Sequence, residues 1–252
     1  NAWGDQGLPD IHVHSWSASN PFVRGLYYRS IYQIKLASDF LRNTESRADD
    51  ATIRAYRAEV RFLRAYQYWV LIDLYGNPPF ITEATATGKV YPQQISRAEL
   101  FKYIESELKV IDADLLAPKA AGYGRADKAA AWALLSRLYL NAEVYTGTQR
   151  YAEAAEYAER VISSGSYSLK ADYSQLFLAD NNVNNPEVLL SINYDGQRSQ
   201  NWGGMTYLIN ASTGGTAKAV TGVNMGVNGG WQGNRATSKL LELFGTNTAT
   251  DK

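Results

Sequence analysis

The sequence predicts a mainly α-helical protein in which paired helices form a scaffold for long irregular loops. Two observations lead to this fold class. Apolar residues recur at spacings of three and four through residues 20–165, which is the period of an amphipathic helix. Residues 181–236, by contrast, are rich in Asn and Gly, and most of this region shows no sustained period.

The first two predicted helices have clear end signals. Asn20 is a good N-cap for a helix over 21–43, and Pro21 suits its first position. The next helix is predicted over about 50–75 and carries two apolar stripes, which indicates burial on most sides. The Gly-Asn-Pro-Pro run at 76–79 ends it because proline cannot continue the helical hydrogen-bond ladder.

Three further helices are predicted before the loops. Ser96 and Glu99 form a capping box for a helix that stops before Pro118. A fourth helix is expected over 126–145 and a fifth over 151–164. Small alanines on this last pair let two helices approach closely, so the pair resembles a tetratricopeptide hairpin. The two preceding helices look like a second, degenerate copy.

The region after the helices contains few regular elements. One strand-like run is predicted at 188–192 and one helix at 238–244. A loop region this long within a compact protein is usually functional or disordered. Trp202, Tyr207 and Trp231 argue against disorder because disordered segments are poor in aromatic residues.

Composition excludes several functional classes. The chain has 25 Lys plus Arg and 25 Asp plus Glu, and hence a formal net charge of zero. Nucleic-acid-binding proteins normally show a basic excess, so no nucleic-acid partner is expected. The absence of cysteine excludes disulfides and thiolate metal sites. There are 18 Tyr and 6 Trp against 7 Phe, and Tyr and Trp suit wet interfaces and sugar surfaces.

Motifs for catalysis or cofactor binding are weak. The only two histidines, His12 and His14, would lie on one face of a strand, but they lack an obvious third metal ligand. We interpret them as a structural pair. The Gly-rich stretch at 212–218 lacks phosphate-loop spacing, and the one at 226–233 does not follow a clear strand.

Carboxylates give only minor alternatives. Asp172, Asp180 and Asp195 lie among Asn-rich loops without EF-hand spacing, so calcium is unsupported and no cofactor is expected. A glycoside hydrolase would need two carboxyls roughly 5–10 Å apart. Asp10, Glu187 and Asp195 are candidates, but no sequence spacing predicts that they converge. We therefore expect no enzymatic activity.

Several segments, taken in order, carry a family resemblance. Residues 57–69 lie on a predicted long helix that leads into Leu-Tyr-Gly-Asn-Pro-Pro-Phe-Ile at 74–81. His-Val-His-Ser-Trp at 12–16 precedes the first hairpin, and 124–140 begins the second. Asn-Pro-Glu-Val-Leu-Leu-Ser-Ile at 185–192 precedes the loops, and Asn-Arg-Ala-Thr at 234–237 follows them. Together these segments resemble the SusD/RagB family over nearly the whole chain.

The resemblance implies a SusD-like fold and a function without chemistry. Such proteins are surface-exposed lipoproteins of the outer membrane in Bacteroidetes-type bacteria. They bind oligosaccharide or polysaccharide for delivery to a SusC-like TonB-dependent transporter, which the tetratricopeptide face is expected to contact. The family's lipidated N-terminal Cys and flanking helical parts have no counterpart here. We therefore expect a chain that is incomplete at both ends, and a membrane link only through an anchor absent from it.

The expected organisation is one SusD-like domain over 1–252. It comprises a tetratricopeptide-like scaffold over 20–165 and a loop-rich glycan-binding region over 166–237. A flat Trp or Tyr covers the apolar face of a pyranose ring, while amides, carboxylates and Arg bond its hydroxyls. The family's aromatic platform is carried over to the loop tryptophans and their polar neighbours. The predicted glycan contacts are Trp3, Asp5, Asn201, Trp202, Tyr207, Trp231, Asn234 and Arg235.

Other interpretations of the same residues stay open. A loop tryptophan can simply pin its own loop. A tetratricopeptide scaffold could instead bind a protein or peptide in a groove between residues 126 and 164. Trp69 and Trp132 lie in helical stripes and are expected in the core, whereas Trp16 is ambiguous.

Overall fold

The computed structural model describes residues 6–88, 91–178, 180–214, 227 and 229–244. The chain divides into two compact units. Unit 1 comprises Asn1–Phe22 and Asn193–Lys252, and unit 2 comprises Val23–Ile192.

Helices dominate the described residues. The helices are α1 (Leu8–His12), α2 (Pro21–Asn43), α3 (Ala51–Leu74), α4 (Arg97–Ile111), α5 (Lys128–Leu140), α6 (Ala142–Thr146), α7 (Tyr151–Ser163), α8 (Gly204–Ser212) and α9 (Ser238–Phe244). Short 3-10 turns cover Glu45–Arg47 and Tyr173–Phe177. In the part of the chain that is described there is no strand, only an isolated bridge between Pro79 and Gln94. Nor does any described helix have the length and apolarity to cross a bilayer.

Unit 2 is built from paired helices around one apolar core. Helix α3 packs on α4, and α5 packs on α7. In the second pair the Ser136 hydroxyl donates to the carbonyl oxygen of Ala154 at 2.8 Å, and the rings of Tyr139 and Tyr157 stack with centroids 5.6 Å apart. The predicted mainly helical scaffold with tetratricopeptide-like hairpins is confirmed. Fully buried core residues include Ile34, Phe62, Tyr68, Leu71, Leu100, Ile104, Leu108, Leu138 and Tyr139.

Four details of the sequence interpretation were wrong. The helix expected over 126–145 is divided at Asn141, whose side-chain amide donates to the Arg137 carbonyl oxygen at 3.2 Å and so competes with the helical ladder. The run at 188–192 is irregular rather than a strand. His12 ends α1 and His14 has a φ of 57°, so the two histidines do not share a strand. One α3 stripe is also partly exposed, because Leu63 and Leu74 face outward.

A buried charge network joins α3, α4 and the loop after α3. The side chain of Arg64 is only 1% exposed. Its guanidinium pairs with Glu83 at 2.5 Å and with Glu107 at 3.1 Å. Glu107 also accepts two hydrogen bonds from Arg61, at 3.0 and 2.7 Å. A buried charge is tolerated only when paired in this way.

The loop after α3 is held through its backbone. The buried Tyr68 hydroxyl donates to the carbonyl oxygen of Ile81 at 2.8 Å and accepts from its N–H at 2.7 Å. Arg42 donates to the carbonyl oxygens of Glu83 and Thr85, each at 2.9 Å. These side chains provide the backbone groups of the loop with the partners that secondary structure would otherwise supply.

One buried carboxylate connects three segments of unit 2. Asp127 caps α5 by accepting from the N–H of Ala130 at 3.1 Å. It also accepts from the Lys119 N–H and from the Tyr167 hydroxyl, both at 2.8 Å. The Lys119 ammonium lies 4.4 Å from the Tyr167 ring centroid and donates to the Val188 carbonyl oxygen at 3.1 Å. The long connections on this side therefore share one anchor.

Candidate functional site

Two indole rings from separate loops meet in unit 1. Trp202 lies just before α8, and Trp231 lies in the segment that leads toward α9. Their ring centroids are 6.1 Å apart and their planes are inclined by 38°. This spacing is within the range at which aromatic rings attract each other. Trp202 is 81% exposed, whereas Trp231 is half-buried. We call these two residues the indole pair.

A tyrosine and an amide contribute polar groups from the same segments. The Tyr207 hydroxyl, on α8, donates to Asn234 Oδ1 at 3.1 Å. This hydrogen bond fixes which end of the Asn234 amide faces the tyrosine. The amide nitrogen of Asn234 carries two further N–H donors. Asn234 is exposed and Tyr207 is half-buried, so a ligand can reach the amide from solvent.

The remaining predicted contacts have different surroundings. Asn201 is exposed, and its Oδ1 accepts from the N–H of Gly203 at 2.9 Å, so this oxygen helps to form the turn before α8. Arg235 is exposed next to Asn234. Trp3 and Asp5 lie outside the described residues, and their predicted role stays a prediction.

The sequence analysis missed α8, which connects the polar and aromatic parts of the site. Four backbone N–H groups of residues 231–234 donate to carbonyl oxygens at the C-terminal end of α8, at 2.6–3.1 Å. The sequence did contain a signal for this helix. A Gly203-Gly204 pair is followed by Tyr207 and Ala211, whose spacing of four residues places them on one helix face. The bonds run from Trp231 to Asn210, from Gln232 to Thr213, and from both Gly233 and Asn234 to Ala211.

The other tryptophans are placed differently. Trp69 and Trp132 are partly buried against the helical core of unit 2. The Trp132 indole N–H donates to Asp112 at 2.6 Å. Trp16 is 52% exposed, and its ring meets that of His14 edge-on at 6.3 Å.

Three of the carboxylates considered for catalysis or calcium, Asp10, Glu187 and Asp195, accept local hydrogen bonds. The backbone N–H groups of Ser199, Gln197 and Arg198 hold the pKa of Asp195 below its usual range, whereas a general acid needs a raised pKa. Asp10 accepts from the Asn20 amide at 3.3 Å. Glu187, in unit 2, accepts from the N–H of Lys170 at 2.7 Å. Among the described side chains, no group of three or more His, Asp and Glu could hold a metal ion.

Unit 2 contains an open apolar groove of about 370 Å³. Arg125 lies at this groove, where its guanidinium is paired with Glu59 and stands 5.2 Å from the Tyr56 ring centroid. The peptide-scaffold alternative places its ligand between residues 126 and 164, the stretch that contains the packed helices α5 and α7. The lining residues are Phe40, Tyr56, Glu59, Val60, Leu63, Gly124, Arg125, Ala126 and Leu190.

Comparison with known proteins places these observations in a family. Residues 11–140 match a SusD-like family model described as starch-binding and associating with the outer membrane. The chain is 41% identical over 251 residues to the starch-binding protein SusD of Bacteroides thetaiotaomicron, covering 98% of this chain and 44% of that protein.

Solved structures agree at the level of the fold. A SusD-like carbohydrate-binding protein from Bacteroides fragilis has a TM-score of 0.63 and 27% identity, over 71% of this chain and 34% of that one. A structure solved with a xylogluco-oligosaccharide has a TM-score of 0.69 and 22% identity, over 86% of this chain and 43% of that one.

The chain spans less than half the length of the curated relatives that it matches, between 34% and 44% of each. The family model nevertheless covers just over half of this chain, and the relative from Bacteroides thetaiotaomicron aligns with almost all of it. The chain therefore belongs to the SusD-like family.

Proposed function

We propose that this chain is part of a non-catalytic protein that binds oligosaccharide or polysaccharide at the bacterial cell surface. Family membership supports this proposal, since the relative with 41% identity is named as a starch-binding protein. The proposal includes delivery of the glycan to a SusC-like TonB-dependent transporter in the outer membrane. It also includes attachment to that membrane through a lipid anchor, as the family resemblance implies.

The indole pair is the observation that carries the proposal. A pyranose ring has an apolar face of C–H groups, and the negative π cloud of an indole attracts that face. Trp202 is 81% exposed although it is a large apolar side chain, and its ring stands 6.1 Å from that of Trp231. The planes are inclined by 38°, so the two rings are not coplanar, and we propose that each covers a separate sugar unit.

Polar groups beside the indole pair suit the hydroxyl rim of a sugar. The amide nitrogen of Asn234 is a donor, and the guanidinium of Arg235 supplies several more. Asn201 is exposed at the start of the turn that leads into α8. Trp3 and Asp5 complete the proposed set on the strength of the family resemblance alone.

The proposed site is tested by measuring glycan affinity after removal of each ring. We expect Trp202→Ala and Trp231→Ala each to weaken binding of soluble starch about fivefold or more, because a stacked ring contributes on the order of 1 kcal/mol. Isothermal titration gives the affinity, and a xyloglucan oligosaccharide serves as a second probe. Tyr91→Ala is the control, since Tyr91 is a 93% exposed ring in unit 2.

The outcomes separate the alternatives. Wild-type affinity in both tryptophan variants would remove the indole pair from the site. Release of reducing ends from starch above the blank rate would favour a glycoside hydrolase. A ligand footprint restricted to residues 126–164 would favour the peptide-scaffold alternative.

A further inference from the structure

We infer that Gly230 is a positioning residue, whose lack of a side chain lets the 229–234 segment seat against the end of α8 and so places Trp231 beside Trp202. This inference rests on the proposed function only in its link to glycan binding. The arrangement of the two rings is a separate matter that can be measured without any glycan.

The end of α8 needs outside partners. The last four carbonyl oxygens of an α-helix find no N–H donor within the helix and must accept hydrogen bonds from other groups. Here the backbone of the 229–234 segment satisfies the carbonyl oxygens of Asn210 and Ala211, while the Thr213 hydroxyl donates to that of Ile209. The carbonyl oxygen of the fully buried Ala211 accepts hydrogen bonds from two N–H groups of this segment, at 2.9 Å each. The carbonyl oxygen of Asn210 accepts one from the N–H of Trp231 at 2.6 Å. The segment therefore acts as the cap of this helix.

Close backbone approach explains why residue 230 is glycine. A Cβ built on Gly230 would overlap the carbonyl group of Thr213, just beyond the last residue of α8. A Cβ on the preceding Gly229 would meet nothing within 4 Å. Gly230 does not have a positive φ, so the need for glycine here is one of space and not of backbone conformation. Side chains are excluded at 230 because rigid backbone, which cannot rotate away, occupies the space.

The position of the 229–234 segment against α8 controls two contacts of the site, the indole pair and the Tyr207–Asn234 hydrogen bond. Helix α8 carries Tyr207, and Trp202 lies just before it, while the capping segment carries Trp231 and Asn234. Moving the segment away from α8 would separate the indole pair and the Tyr207–Asn234 hydrogen bond together. A residue that contacts no ligand would then govern ligand affinity.

The test compares Gly230→Ala with the matched control Gly229→Ala. Two indole rings at 6.1 Å couple their electronic transitions, so the pair should give a circular dichroism couplet in the indole absorption band. Trp202→Phe identifies this couplet by removing it. We expect Gly230→Ala to lose the couplet and to bind soluble starch about fivefold or more weakly, as when a stacked ring is lost. Gly229→Ala should retain both, and both variants should keep the helical spectrum of the wild type.

Several results would overturn the inference. These are an unchanged couplet in Gly230→Ala, or an equal loss in Gly229→Ala. If Gly230→Ala does not fold, amide hydrogen exchange in the wild type decides. The N–H groups of residues 231–234 should be protected, and exchange at the rate of an open loop would show that no cap exists. A wild-type chain that binds neither starch nor xyloglucan oligosaccharide would count against the proposed function for these two glycans, while the couplet comparison would still judge the role of Gly230.

Discussion

Replacing Arg64 with methionine removes the centre of the buried charge network and leaves the surrounding core filled. Methionine is unbranched and flexible, so it occupies most of the space of the arginine stem without opening a large cavity. The change leaves Glu83 and Glu107 without the guanidinium that now lies 2.5 and 3.1 Å from them. Although burial raises the pKa of Glu83, the hydrogen bond and charge of Arg64 bring it below its usual value.

The expected loss of unfolding free energy depends on how exposed the two carboxylates are once Arg64 no longer pairs with them. Breaking a buried ion pair from one side costs about 3–5 kcal/mol of unfolding free energy. The lower end applies here for two reasons. Arg61 still donates two hydrogen bonds to Glu107, and the side chain of Glu83 is 37% exposed and can be hydrated. We therefore expect Arg64→Met to lose about 3 kcal/mol.

Urea unfolding followed by circular dichroism measures this loss by linear extrapolation. Glu83→Gln is the informative control, because Arg64 keeps its pair with Glu107 and the loss should be only about 1 kcal/mol. Lys102→Ala, which removes an exposed pair with Glu99, should change stability by less than about 0.5 kcal/mol. A loss below about 1 kcal/mol in Arg64→Met would refute the reasoning, as would equal losses in Arg64→Met and Glu83→Gln.

Two further perturbations test other contacts of unit 2. Tyr68→Phe keeps the buried ring but removes both hydrogen bonds to Ile81, and urea unfolding should show a loss of about 2 kcal/mol. Burial raises the pKa of Glu105, but hydrogen bonds from Lys109 and Tyr139 lower it by more, so that the net pKa lies below the usual 4.5. The stability advantage of the wild type over Glu105→Gln should thus be full above pH 4.5 and shrink as the pH falls below it.

Each of these expectations has its own contrary result. Tyr91→Phe, at a 93% exposed ring, is the matched hydroxyl deletion and should be neutral. A neutral Tyr68→Phe would mean that solvent replaces both bonds to Ile81. A difference between wild type and Glu105→Gln that stays constant down to pH 3 would show that the carboxylate of Glu105 gains nothing from its partners.

Local end signals made the helical scaffold predictable from sequence. Asn20 accepts from the N–H of Phe22 at 3.0 Å, and α2 spans the expected residues. Ser96 likewise accepts from the N–H of Glu99 at 3.2 Å. Such caps act within a few residues, so a sequence window contains them. The run at 188–192 misled because strand propensity has meaning only beside a partner strand, and here Leu190 packs on helices instead.

The candidate site was only partly predictable, because its geometry depends on contacts distant in sequence. The aromatic and amide composition identified Trp202, Trp231, Tyr207 and Asn234 as candidates, but no spacing rule brings the first two within 6.1 Å. Their approach depends on the cap at the end of α8, a nine-residue helix that begins at glycine. Glycine has a low helix propensity, and so short a helix gives a weak periodic signal.

The shared anchor at Asp127 has a consequence for how homologous sequences can vary. Its carboxylate binds the backbone at Lys119 and the hydroxyl of Tyr167, and Lys119 in turn reaches the backbone at Val188. Insertions or deletions in any one of these connections would pull against the other two. Length changes on this side should therefore be inherited together, or be accompanied by replacement of Asp127 itself.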